Sequence, residues 1–502
     1  MIEFCGALRV LHCAEFVAIC DRKGSESPTF HLDCRGRLAA ILSDDDKVNC
    51  GHRLTIMCCN VNVDTQAVAL GMDAYDVLLP VSASPSFYRT QALRLFDEWS
   101  AGALDASAFV RAHHPFYRHP VYRWTTAATA AELPPTLADA ELALARRYQF
   151  GDFEAMLAWA SEASTAASPA AAFEEAADAI VSGDIPSLQR ILAAKPDIIR
   201  ARSTRVTPHD PAQHGATLLH YTAANGVESY RLRVPPNAVA VLQLLLDSGA
   251  DPNATAGFYG TRWNTLGLLV SSSSVAESKL QLQLAHMLLD RGARDGTTAN
   301  AGLPVVVIAL LHDCADTGIA LAVRRDIVST DLLSSAGLGD TAAVATLLRA
   351  ATEGMQRFSF DFVHKAFVLA CMGGHTTVVE QLLAYDHAQR VTSCEHGWAA
   401  ESASNDDGGT MAARFNPAGF HAHCTALHLA AARGHLDVVR ILLKSAPNTA
   451  AAQDLIYEST PAGWAHFHGH ADIGQAIENS SLATLSEAAG SSSRAADSTT
   501  EL

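Results

Sequence analysis

The chain has 502 residues, 49% of them apolar and 18% charged, which excludes a wholly disordered polypeptide. Its 36 basic and 53 acidic side chains give a net charge of −17, and residues 1–170 carry 14 and 20 of them, so neither half is a polyanionic tail or a basic arm. That balance excludes a general binder of nucleic acid or anionic membranes, while the length by itself suggests about three domains.

Residues 1–90 form the first region, of unrecognised fold. Seven of the eleven cysteines fall here: Cys5, Cys13, Cys20, Cys34, Cys50, Cys58 and Cys59. Their gaps are irregular and no Cys-x2-Cys pair occurs, so they read as thiols rather than zinc ligands. The start Met1-Ile2-Glu3 is acidic, and Arg9 and Glu15 break the apolar stretch from Cys5 to Cys20, so no secretory signal is expected. No run reaches the roughly 18 apolar residues of a membrane helix. A soluble protein of a reducing, cytoplasmic compartment is the expectation. Residues 53–63 read as a strand and 75–81 as another short apolar element, which predicts a small α+β or irregular module.

Residues 91–170 read as a helical lead-in, with helices expected at Leu93–Trp99, Ala106–Arg111 and, after the Pro134-Pro135 boundary, Leu137–Phe150. His113, His114 and His119 lie among Phe116, Tyr117 and Tyr122, where packing against the first repeat is preferred to catalysis.

From 171 to 479 the sequence is periodic. The clearest unit runs Thr425-Ala-Leu-His-Leu-Ala-Ala-Ala-Arg-Gly434-His435 and continues through Val438, Val439, Ile441, Leu442 and Leu443. Leu427, Ala430 and Ala431 make one apolar helical face, Gly434 stands where the chain must reverse, and the later aliphatics supply a second stripe. Thr460 and Gly469 repeat the punctuation 35 residues later. Gly374-His375, Gly339-Asp340 and Gly183-Asp184 precede similar stripes upstream, and Leu218–Gly226, Leu244–Asn253 and Gln283–Gly292 supply further units. About seven or eight helix pairs are expected, interrupted by insertions at 228–236 and 386–423, the second read as a mobile loop. Residues 480–502 read as a disordered tail.

The T-x-L-H-x-A-A helix, the Gly-His turn and the V-x-x-L-L stripe resemble the ankyrin repeat. Ile199–Thr204, Ala216–Val227, Pro236–Val239 and Leu137–Phe150 are similar to segments of uncharacterised bacterial ankyrin-repeat proteins. The resemblance covers roughly 95–480 and implies a mainly α fold, one elongated solenoid of stacked helix pairs, in a bacterial protein; it implies no reaction.

Chemical motifs are weak. There is no G-x-S-x-G elbow and no G-x-x-x-x-G-K-[ST] loop. Asp44-Asp45-Asp46 reads as a solvated turn; Asp64, Asp73 and Asp76 form no recognisable motif. His466, His468 and His470 fall in the repeat frame, and His421, His423 and Cys424 lack a completing cluster. The expected function is therefore non-catalytic binding of a protein partner through repeat turns and a concave face, with no metal, cofactor, nucleic acid or membrane. Phe258, Tyr259, Arg262 and Trp263 lie in a connection between repeats and are the candidate contact residues, because Tyr, Arg and Trp dominate binding hot spots. The same Phe258 and Trp263 would equally serve to cover a repeat edge. Two alternatives stand beside this reading: an active module in 1–90 with the repeats as a targeting arm, and a host-directed effector.

Overall fold

The computed structural model describes residues 31–32, 38–39, 83–118, 132–165, 168–209, 211–295, 299–324, 327, 330–392 and 410–481. The cysteine-rich segment, the strand expected at 53–63, the element at 75–81, the aspartates between 44 and 76, His119, Tyr122 and the tail beyond 481 lie outside the described residues. A short antiparallel pair, β1 (His31–Leu32) and β2 (Leu38–Ala39), is present in the first region. The chain divides after Ser329 into two compact units.

The first unit opens with four helices: α1 (Pro85–Ser100), α2 (Leu104–His113), α3 (Leu137–Arg147) and α4 (Phe153–Ala163). Thr136 and Asp152 accept hydrogen bonds from Asp139 N and Ala155 N, so both later helices start on a side-chain cap. Leu95, Phe109, Leu144, Phe150 and Met156 close a core of their own. His114 and Tyr117 are buried in this region, and the Tyr117 hydroxyl accepts from Leu133 N at 2.9 Å. The aromatic–histidine segment thus packs, but within the lead-in bundle rather than on the first repeat.

Helix pairs follow. α5 (Pro169–Ser182) and α6 (Ile185–Ala194) form the first; a 3-10 turn at Leu218–Ala223 and α7 (Ala238–Asp247) form the second. The hairpin β3 (Thr255–Phe258) and β4 (Thr261–Asn264) leads into α8 (Thr265–Val270), the short α9 (Ser273–Glu277) and α10 (Gln281–Asp290). α11 (Val305–Leu311) and α12 (Ala315–Ala322) close the unit. α5, the 3-10 turn, α8 and α11 touch in succession, as do α7, α10 and α12, giving two helical layers.

The second unit repeats the scheme with α13 (Leu332–Leu338) and α14 (Thr341–Thr352), α15 (Phe360–Gly373) and α16 (Thr376–Thr392), α17 (Ala426–Ala432) and α18 (Leu436–Ser445), and α19 (Pro461–Phe467) with α20 (471–481). α13, α15, α17 and α19 contact one another in order, and α14, α16 and α18 do the same. Of the loop expected at 386–423, the first residues belong to α16, which continues to Thr392, and 393–409 lie outside the described residues. Asp386 is buried, pairs with Arg390 and accepts from Met411 N at 3.3 Å, which ties the two ends of the insertion together.

One device recurs at the turns. Gly374 and Gly434 have φ of +73° and +80°, and a methyl group on either would lie 2.6 Å from the ring of the next unit's histidine, His435 or His470. His375 stands against Gly339 in the same way. The rings are held there by hydrogen bonds: His375 Nε2 donates to Gly337 O and His435 Nε2 to Met372 O, each at 2.9 Å. Glycine is needed both for the left-handed backbone and for the room the neighbouring imidazole takes.

Candidate partner-binding site

The hairpin that carries the candidate residues follows from its sequence. Tyr259 and Gly260 form a two-residue turn with φ of +55° and +73°, both positive as the tight type I′ connection requires. The register pairs Thr255 with Asn264, Ala256 with Trp263, Gly257 with Arg262 and Phe258 with Thr261. Side chains alternate between faces, so Ala256, Phe258 and Trp263 share the buried face while Thr255, Gly257 and Arg262 share the other.

The four candidates therefore divide. Phe258 and Trp263 are 4% and 1% exposed, and no partner can reach them without unfolding the hairpin. Phe258 stacks on His214 with ring centroids 5.2 Å apart and lies over Gly226, where a Cβ would approach it to 3.0 Å. Trp263 meets Tyr259 edge-on at 6.0 Å. These two anchor the hairpin, as the alternative of covering a repeat edge anticipated. Tyr259 is partly exposed, its hydroxyl bonded to Asn225 Oδ1, and Arg262 is exposed.

Arg262 reaches diagonally across the hairpin. Its Nε donates to Thr255 Oγ1 at 2.9 Å, and its Nη2 to Thr255 Oγ1 at 2.6 Å and Thr255 O at 3.2 Å. Arg202, exposed and 53 residues away from Thr255 in sequence, donates through Nη1 to the same carbonyl at 2.8 Å and to Gly215 O at 2.7 Å. Sequence reasoning missed Arg202, since nothing local to Arg200–Ser203 signals that its guanidinium will lie beside Arg262.

A second polar assembly lies inside the unit. Arg205, Glu228 and Arg231 have essentially no exposed side chain, and Glu174 little. Arg231 Nη1 donates to Glu174 Oε2 at 2.6 Å and its Nε to Asp178 Oδ1 at 2.8 Å; Arg205 Nη1 donates to the Tyr230 hydroxyl at 2.6 Å and a further Nη2 bond reaches Tyr148 O. The Arg205 guanidinium also sits 4.3 Å over Phe150 and 5.2 Å from the Trp159 ring centroid. Burial works to raise the Glu228 carboxyl, yet the hydrogen bond from His214 and the charges of Arg205 and Arg231 outweigh it and hold the group well below the usual carboxylate range. Glu174 is pushed up by burial, with Arg231 opposing. The segment read as an insertion, 228–236, begins as a buried strut. It fastens α3–α4 to α5, and its Glu228, Tyr230 and Arg231 offer nothing to a partner.

The histidine motifs have structural places. His466 pairs with Glu478 at 3.0 Å and fills the space beside Gly474, while His470 stands against Gly434. His421 and His423 are buried with Cys424. Among the described residues no group of three or more His, Cys, Asp or Glu is placed to hold a metal ion, and Cys314, Cys371 and Cys424 are buried. No helix among the described residues is long and apolar enough to cross a membrane.

The unit around α17 and α18 completes the picture. Thr425 N donates to His428 Nδ1, and the Thr425 hydroxyl lies 2.9 Å from that nitrogen, which leaves Nε2–H to donate to Ser459 O at 3.1 Å. Thr217 and His220 repeat the first half of this arrangement. The helix pair, its Thr–His box and its Gly-His turn define a repeat protein of the helix–turn–helix class. The ankyrin repeat family model matches residues 423–453, so the chain contains an ankyrin repeat there. No curated protein matches it.

Proposed function

We propose that the protein is a non-catalytic scaffold whose helix pairs stack as an ankyrin solenoid and bind a protein partner through their turns. The observation that carries this reading is the ankyrin repeat itself, whose Gly-punctuated helix pair recurs in both units. Such pairs bury their apolar faces on one another and leave the turn tips to bind without a change of shape. On the first unit the surface would be the outer face of β3–β4 with Tyr259 and Arg262. On the second it would include the 454–459 turn, where Asp454 accepts from Ile456 N, Tyr457 N, Ser459 N and Trp464 Nε1 and Leu455 stands 51% exposed. Nucleic acid is not a partner in this reading, and a bacterial cytoplasmic setting is part of it.

Photo-crosslinking in cells tests the proposal. With p-benzoylphenylalanine at Tyr259 or Leu455 of the full chain, discrete protein adducts are expected at one or both positions. Absence of adducts at these and at every other turn position would overturn it.

A further inference from the structure

We infer that Arg202 and Arg262 form a two-guanidinium clamp for carboxylates, and that the partner segment seated on the hairpin of the first unit is acidic. The inference rests on the protein-binding reading above and narrows its chemistry.

The geometry is unusual for two exposed cations. Arg202 Nη1 and Arg262 Nη2 lie within 3.2 Å of one carbonyl oxygen, that of Thr255. Like charges are thereby held side by side, and no carboxylate among the described residues pairs with either. Among the other exposed arginines of this unit, Arg94, Arg190 and Arg291 each hold a Glu or Asp, while Arg89, Arg200 and Arg294 stand apart with no second guanidinium on a shared acceptor among the described residues. The neutral acceptors on Gly215 and Thr255 fix the two forks without cancelling their charge. Arg202 Nε and Nη2 and Arg262 Nη1 meet no acceptor among the described residues.

The remaining N–H groups suit a planar anion. Arginine forks bind carboxylates in pairs of parallel hydrogen bonds, and forks already fixed by the backbone lose little freedom on binding. The rigidity comes from below. Phe258 and Trp263 pin one face of the hairpin, and Gly257 N donates to His214 O at 2.7 Å, joining it to the segment that also offers Gly215 O to Arg202. An acidic protein segment fits better than nucleic acid, because two cations on a chain of net charge −17 supply no track along a phosphate backbone.

The test uses the purified full chain and fluorescein-labelled hexaglutamate, with labelled hexaglutamine and an oligouridylate of equal length for comparison, read by fluorescence anisotropy. Hexaglutamate is expected to bind, to weaken as salt rises, and to lose at least tenfold in affinity in R202Q/R262Q. The variant R190Q/R291Q, which removes two arginines already paired with carboxylates, is expected to stay within about twofold of the parent. Unchanged hexaglutamate binding in R202Q/R262Q, or tighter binding of the oligouridylate, would overturn the inference. Should R202Q/R262Q lose its fold, hydrogen exchange on the parent chain decides: protection by hexaglutamate at 200–216 and 255–264 supports the clamp, and protection confined to other segments sinks it. If partners crosslinked through Tyr259 persist in R202Q/R262Q, the clamp fails while protein binding stands. Loss of all crosslinks in the parent chain fails the broader reading instead.

Discussion

Arg231 shows how a single residue can organise a junction. It is buried against Glu174 and Glu228, reaches the partly exposed Asp178, and its guanidinium lies 5.3 Å from the Tyr230 ring centroid. A buried ion pair gains little over an apolar filling, but removing one partner strands the others. Arg231→Ala is therefore expected to destabilise the first unit by about 3–5 kcal/mol, measured as a fall in the urea midpoint. Arg231→Met together with Glu228→Gln should recover part of that loss; an Arg231→Ala chain as stable as the parent would refute the account. Neither Arg205 nor Arg231 stood out in the sequence, because an arginine is ordinarily a surface residue and only the folded chain brings 174, 178, 205, 228 and 231 to one point.

The turn glycines give a sharper contrast at the same scale. Gly374→Ala faces both a left-handed φ of +73° and the His435 ring, whereas Gly469, with φ of +84°, has open space around its missing Cβ. Gly469→Ala should cost only the backbone strain, about 1–2 kcal/mol, and Gly374→Ala clearly more. Thermal unfolding of the two variants checks this, and equal losses would show that the imidazole contact carries no weight.

At the scale of elements, buried histidines tie helices to their neighbours. Burial lowers the imidazoles of His220, His364 and His428 to about 4, against an ordinary value of 6.5. A base with a depressed folded value takes up protons later than the unfolded chain does. Stability is thus full above about pH 6.5 and is lost as pH falls towards 4, with an upper bound of roughly 3 kcal/mol for each histidine. Urea unfolding at pH 7 and pH 5 should show the drop, and His428→Gln should reduce its size in the second unit; a flat profile between those values would contradict the burial. The T-x-L-H spacing was legible in the sequence as a repeat signature. Its physical meaning, a cap from Thr425 and a bond to Ser459 in the next connection, needs the following element in place.

The hairpin shows the same division. Gly260 carries a local turn signal, and the aromatic–arginine composition of 258–263 marks the segment in the sequence. Which residues would be exposed was undecided, because strand register sets the face of every side chain at once. Register put Trp263 opposite Ala256 and turned Arg262 outward towards Thr255, beside Arg202.

For the whole molecule, periodicity alone determined a great deal. The placement of Gly183, Gly339, Gly374, Gly434 and Gly469, the aliphatic stripes between them and the expectation of seven or eight helix pairs all follow from short-range rules of helix start, stop and amphipathicity, which act within about ten residues. Those rules cannot tell how far a helix runs into a polar segment, so α16 extends past Asp386 once Arg390 and Met411 N give that carboxylate partners. Nor can they place the break into two units after Ser329 or bury the strut at 228–231. Both are decided by contacts between residues far apart in the chain, as is the meeting of Arg202 with Arg262. The sequence by itself determined that this is a protein of repeated, Gly-punctuated helix pairs, because each pair is encoded locally. Only the tertiary structure decided which charges are buried and balanced and which face outward with none to oppose them, because that depends on neighbours the local sequence does not contain.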